Sequence, residues 1–245
     1  MTFNEITAQA ATQAKLSKLY KVYDSVPGGK CAGCTDCCSE SVNISFLEFS
    51  NIIENGIPKL SNDAFDALVK RVLSYYLLEW VKPQKCPFLS DDKRCVIYET
   101  RPLPCRVFGT PTRDAYEANY NKIKRQNIAV ALQIQTETGN KLPRNIVHRK
   151  IDFCEDYKPD KTLGTRDIEA LYSRLINLDG TLYFEGLIDD SMMNGDLVSY
   201  MIDWLIETQK KSLPVTPGDQ AGDDMAVTRA LLFELKKDCL KSIQK

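Results

Sequence analysis

Four cysteines fall within eight residues, Cys31-Ala32-Gly33-Cys34-Thr35-Asp36-Cys37-Cys38, in a chain of 245 residues that carries only nine. Thiolates separated by two residues can wrap one metal centre, because each short spacer reverses the chain and turns both sulfurs inward. The nearby Gly28, Gly29 and Gly33 let the backbone approach closely and leave N–H groups free to hydrogen-bond to sulfur. Adjacent side chains usually diverge, so Cys37 and Cys38 are not expected to ligate one small tetrahedral ion together. A second series follows: Cys86, opening Cys86-Pro87-Phe88-Leu89, then Cys95 and Cys105. Cys154 stands alone further on. These eight cysteines are the predicted metal ligands, and at four ligands per centre they allow two centres.

The choice of metal follows from what is missing. His148 is the one histidine, which excludes the His₃ and His₂Glu zinc sites of hydrolases. Structural zinc usually shows two C-x₂₋₄-C knuckles, and only the first half of that pattern is present. The bacterial ferredoxin run is C-x₂-C-x₂-C followed by Cys-Pro. Cys31, Cys34 and Cys37 reproduce its first three positions, and Cys86-Pro87 echoes the last. The spacing therefore favours an iron–sulfur cluster, of the 4Fe–4S type, with zinc as the alternative. Cys31, Cys34, Cys37 and one of Cys86 or Cys38 would surround the first centre. The others would form a second centre or a redox-active reserve. From Lys82 to Arg106 six basic residues face three acidic ones. Arg101 and Arg106 bracket Cys105 and are cast as outer residues that offset thiolate charge.

Composition excludes several other classes. Thirty-two basic residues against 33 acidic leave a net charge of −1, which gives no global attraction to nucleic acid or an anionic membrane. The longest apolar run, Ile128–Leu132, is too short to span a bilayer. The N-terminus lacks a basic segment followed by an apolar one, so the expected location is the reducing cytoplasm, where clustered cysteines bind metal or catalyse rather than pair. Gly28-Gly29-Lys30 lacks the rest of a phosphate loop, and no nucleophile with a fixed base is visible.

The elements that must position these cysteines read mainly as helices. Apolar spacing predicts helices over 3–23 and 61–80, opening at Ser61 in the second case, and over roughly 113–138, ending near Gly139. Ser45-Phe46-Leu47-Glu48 is a capping-box start, with Gly56 as a stop. Beyond Cys154, residues 157–161 read as a polar linker. Helices then follow at about 165–178, 189–211 and 222–243, separated by Gly180 and by the loop 213–218. Asp189-Asp190 and Asp223-Asp224 read as helix caps. Cys239 reads as a buried core thiol in line with Leu231 and Leu235, His148 as a surface residue, and Tyr200, Met201 and Trp204 as packing. The expected fold is mainly α: an N-terminal helix (1–24), an irregular cysteine-rich metal-binding region packed with helices (25–158), and a C-terminal helical bundle or cap (163–245).

CAGCTDCC, then CPFL, then RCVIYETRPLPCRVF resemble the YkgJ-like cysteine-cluster family, described as a zinc- or iron-chelating domain. The signature covers about residues 28–110, with Cys154 as a late member. The resemblance implies metal binding through these cysteines. Members are labelled Fe–S oxidoreductases by analogy, and a similar domain occurs in flagellin lysine methylases. The expected role is electron transfer or cluster-assisted modification of a protein or peptide, the C-terminal helices recognising that partner. The alternatives are a zinc-stabilised interaction module without catalysis and a metal-trafficking protein.

Overall fold

The computed structural model describes residues 2–31, 33–193, 195–212 and 221–242. It is mainly α-helical, and its helices begin where local chemistry satisfies the free amides of a first turn. Thr2 and Glu5 form a capping box for α1 (Phe3–Ala8), and Ser45 and Glu48 do the same for α3 (Phe46–Asn55). Ser61 opens α4 (Asn62–Leu78), and Thr112 opens α6 (Arg113–Thr138). Gly139, left-handed at φ 73°, ends α6, a conformation glycine adopts without steric cost. The remaining helices are α2 (Ala10–Tyr23), α5 (Leu103–Val107), α7 (Arg144–Val147), α8 (Thr165–Phe184), α9 (Leu197–Ser212) and α10 (Ala221–Ser242). Two small antiparallel pairs complete the fold. β1 (Gly29–Lys30) joins β3 (Lys158–Pro159), and β2 (Asn43–Ile44) joins β4 (Gly195–Asp196).

Several boundaries differ from the sequence reading. The helix expected over 3–23 breaks at Gln9, whose backbone is extended (φ −67°, ψ 141°). The break lets α1 bury Phe3 and Ile6 while α2 buries Leu16, Leu19 and Val22 in its own direction. Gly180 does not separate helices but lies inside α8. Glycine there costs about 1 kcal/mol of helix propensity, a cost that burial of Leu175 and Leu182 outweighs. The helix expected from 189 starts only at Leu197. Asp189 instead caps a short 3₁₀ turn, accepting from the Ser191 amide at 2.9 Å, and residues 195–196 are taken by β4. The 157–161 segment is no free linker, since its pairing with β1 is extended by the Asp160 amide donating to Gly28 O. The loop at 213–218 lies outside the described residues, and Asp223 and Asp224 fall within α10 rather than before it.

One apolar cluster draws on residues from Phe3 to Leu205. At its centre the Phe49 ring stacks on Tyr200 at 5.2 Å and meets the edge of Phe3 at 5.7 Å, with Phe46 closing the group. Tyr200, Met201 and Trp204 are buried there, as packing residues. Cys239 is not a core thiol: it is half-exposed, and Leu231 and Leu235 are 60% and 52% exposed. α10 turns Lys236 and Leu240 inward instead, with Lys236 Nζ paired to Glu79 and lying 4.2 Å over the Trp80 ring.

The late helices also complete the early ones. Asp179 on α8 accepts from the Phe46 and Leu47 amides at 2.7 and 3.0 Å, and Glu207 on α9 accepts from the Phe3 amide at 2.7 Å. A carboxylate at a helix N-terminus satisfies free N–H groups and meets the positive end of the helix dipole. α3 and α1 are thus held by side chains more than a hundred residues away. No described helix is long and apolar enough to cross a membrane.

Candidate metal centre

The first cysteine block is a loop bent by two left-handed residues, Gly33 (φ 75°) and Thr35 (φ 66°). Cys31 and Cys34 on it are exposed, and the Gly33 amide donates to Cys31 Sγ at 3.4 Å. Cys37 and Cys38 lie on a 3₁₀ turn, Asp36–Cys38, and are half-buried. Their sulfurs do not diverge as expected but stand 3.8 Å apart on that turn.

The second series hangs from the helical frame. The Cys86 amide donates to Cys38 O at 2.8 Å, which ties the two series directly. Arg71 on α4 holds the next residue, its Nε donating to Pro87 O at 2.8 Å. Buried Phe88 anchors the loop, and a tight turn through Ser90–Arg94 brings Cys95 back beside Leu89. Cys105 sits on α5, whose Leu103 amide donates to the buried Glu48 at 2.5 Å. Cys154 lies on the irregular segment before β3, fixed by the Tyr116 hydroxyl donating to Ile151 O at 2.7 Å.

Burial and neighbouring charge shift several of these thiols. Burial pushes Cys86 up to about 12, helped by Cys95, Asp196 and Cys37. Burial also raises Cys105 strongly, with Cys86, Cys95 and Cys37 adding to it. Cys95 rises through burial and Cys37, against the pull of Arg101. Cys37 rises through its contact with Cys38 and then burial, again opposed by Arg101. Cys37, Cys86, Cys95 and Cys105 therefore feel one another, and Arg101 is the cation among them. Cys34 belongs elsewhere. The Asp36 amide favours its thiolate, but burial, the Asp36 carboxylate and Cys154 together outweigh that and raise it. Cys31 acts on Tyr157, beside β3.

The two arginines part company. Arg101 stacks 4.0 Å over Tyr98, and its buried Nε has no hydrogen-bond partner. A buried unpaired donor costs about 1–3 kcal/mol, and an anionic group among the neighbouring thiols would satisfy it. Arg106 turns the other way, 4.0 Å over Tyr23, with Nε donating to Arg101 O and Nη2 to Glu99 O. It shapes the turn that carries Arg101.

One residue of the site has no signal in the cysteine spacing. Arg149 sends Nη2 to both Ser39 O and Gln84 O, the second at 2.9 Å, and its Nε lies 3.9 Å from Glu40. Only its place in the basic stretch before Cys154 marks it in the sequence. His148 beside it is exposed, as expected.

The donor set fits a thiolate-bound metal group by its chemistry: unpaired cysteines on loops tied together at Cys38 and Cys86, beside the buried Arg101 Nε that lacks a hydrogen-bond partner. Among the described residues no three Cys, His, Asp or Glu side chains are gathered tightly enough to enclose a single ion. Comparison with known families agrees with the chemistry. Residues 30–143 match the CxxCxxCC family model, described as a putative zinc- or iron-chelating domain. Over that segment the chain is similar to the CxxCxxCC domain. No curated protein and no solved structure matches the chain. The matched segment contains Cys31 to Cys105, and its family description, zinc- or iron-chelating, supports metal binding by these thiols. Cys154 and Arg149 lie beyond its matched end.

Proposed function

We propose that this chain holds an iron–sulfur cluster, of the 4Fe–4S type, between Cys37, Cys86, Cys95 and Cys105, with exposed Cys31 and Cys34 and half-buried Cys154 as a second thiol group. The observation that carries the reading is the tie between the two cysteine series, the Cys86 amide on Cys38 O at 2.8 Å, beside the unpaired buried Arg101 Nε. Thiols raised by burial keep their protons until a metal cation displaces them, so loading releases protons. Arg101 opposes the rise at Cys37 and Cys95 and would offset the negative charge of the ligated group. The cubane form suits a loose cage, because its irons stand apart at the corners while a single ion needs all its ligands together.

An iron–sulfur cluster would supply one-electron transfer. We assign the chain to electron transfer or to cluster-assisted modification of a protein or peptide in the reducing cytoplasm, which suits nine free cysteines. Partner recognition falls to the C-terminal helices, where Val227, Leu231 and Leu235 line one exposed stripe of α10. A zinc reading is favoured by one distance. Thiolates about 2.3 Å from a tetrahedral zinc ion stand about 3.8 Å from one another, which is the spacing of Cys37 and Cys38.

The test is an iron, zinc and acid-labile sulfide count with a visible spectrum on anaerobically prepared protein. A brown protein bleached by dithionite, losing its colour in Cys105→Ser but keeping it in Cys31→Ser, supports the proposal. A colourless protein with stoichiometric zinc overturns it in favour of zinc.

A further inference from the structure

We infer that Arg149 is a positioning residue for the metal centre, a guanidinium clasp that sets the separation of the two cysteine series. This rests on the reading of Cys37 and Cys86 as neighbours at one centre. The Ser39 carbonyl directly follows Cys38, and the Gln84 carbonyl lies two residues before Cys86. Both accept from one nitrogen of Arg149, so a planar group spans the gap between the ligand loops. Glu40, 3.9 Å from Nε, holds the same side chain from the flank.

The loops have few other ties. Among the described residues they share one backbone hydrogen bond, the Cys86 amide to Cys38 O at 2.8 Å, and a long side-chain contact, Lys85 Nζ to Ser39 Oγ at 3.5 Å. Ser39 and Gln84 belong to loops without a shared ladder, so nothing periodic fixes their register. Arginine is suited to this task because its donors sit in a rigid fork, whereas a lysine ammonium offers one point on a flexible stem. Arg149 also comes from outside the segment that matches the CxxCxxCC model, residues 30–143. The later part of the chain thereby supplies the tie that holds the domain's ligand loops together.

The experiment uses the full-length, reduced, metal-free protein and zinc ion as the probe, with affinity read by competition against a chromophoric chelator. Arg149→Gln is expected to weaken zinc binding about 10- to 100-fold, as loss of outer residues around metal ligands does, and Arg149→Lys by less. Arg174→Gln is the control for lost stability. It removes comparable hydrogen bonds, to Ser25 Oγ at 2.9 Å and Lys21 O at 3.2 Å, away from the cysteines, and leaves zinc affinity unchanged. Hydrogen exchange at the Cys86 amide reads the clasp without metal: it should accelerate in Arg149→Gln and not in Arg174→Gln. Wild-type zinc affinity in Arg149→Gln, or an equal loss in Arg174→Gln, overturns the inference. If the unaltered protein takes up no zinc, the zinc reading fails, and the exchange at Cys86 decides whether Arg149 clasps the loops.

Discussion

The helical frame and the cysteine loops are stabilised by different physics. Around α3 every level agrees: a capping box at Ser45 and Glu48, fully buried Phe46 and Phe49, and the Asp179 carboxylate on the two leading amides. Around the thiols there are 3₁₀ turns, two-residue strands and single hydrogen bonds, with Cys31 and Cys34 exposed. A region rich in buried apolar area and repeated hydrogen bonds resists local opening, while one held by isolated bonds opens at low cost. The frame is built to stay folded without metal. The loops are positioned at a few points, leaving the final closure to whatever the thiols bind.

That contrast can be broken most directly at its stiff end. Phe49→Ala removes a ring packed against Phe3 and Tyr200 and should cost about 3–5 kcal/mol in urea unfolding of the metal-free protein. A loss under about 1 kcal/mol would mean the frame does not dominate stability. Asp179→Ala leaves the Phe46 and Leu47 amides without their acceptor, and two such buried groups should cost about 2–4 kcal/mol. A neutral result would show that water replaces the carboxylate and that the tie between α8 and α3 is dispensable.

The buried carboxyls make the frame sensitive to pH in an unusual direction. Burial pushes Glu48 up to about 7 and Asp179 up to about 6, above the roughly 4 of an unfolded carboxyl. Such groups bind protons more tightly when folded. Their contribution is complete below about pH 4 and is lost as pH rises through 6 and then 7. Urea unfolding at pH 5.5 should therefore show a stability higher than at pH 8, on the order of 2–3 kcal/mol, and Asp179→Asn should reduce the difference. A stability that climbs over that interval would contradict the burial of these carboxyls. The smallest effect sharpens the boundary of the thiol region. Cys239→Ala, on the exposed side of α10, should leave metal content unchanged and move stability by no more than about 0.5 kcal/mol.

What was legible in the sequence is what depends on neighbours three or four residues away. Ser45 with Glu48, Ser61, Thr112 and Gly139 mark helix ends correctly because a cap satisfies amides or carbonyls within its own turn. The break at Gln9 and the continuation of α8 through Gly180 were not legible. At both places distant packing overrides local preference, weakly in sequence terms but strongly once Phe3, Leu175 and Leu182 are buried.

The site divides the same way. Residue type and spacing alone identify a thiolate chemistry: nine cysteines, one histidine and a C-x₂-C-x₂-C-C block leave few other donors. Spacing could not tell which thiols share a neighbourhood. The sequence groups Cys31, Cys34 and Cys37 by spacing, while the folded chain adds contacts that spacing does not show, Cys37 Sγ 3.8 Å from Cys38 Sγ and the Cys86 amide on Cys38 O. Nor could it name Arg149, whose acceptors lie 110 and 65 residues away. Donor chemistry is a property of side chains and is written residue by residue. Which donors meet is fixed by loop-to-loop ties with no periodicity, and only the packed chain decides them.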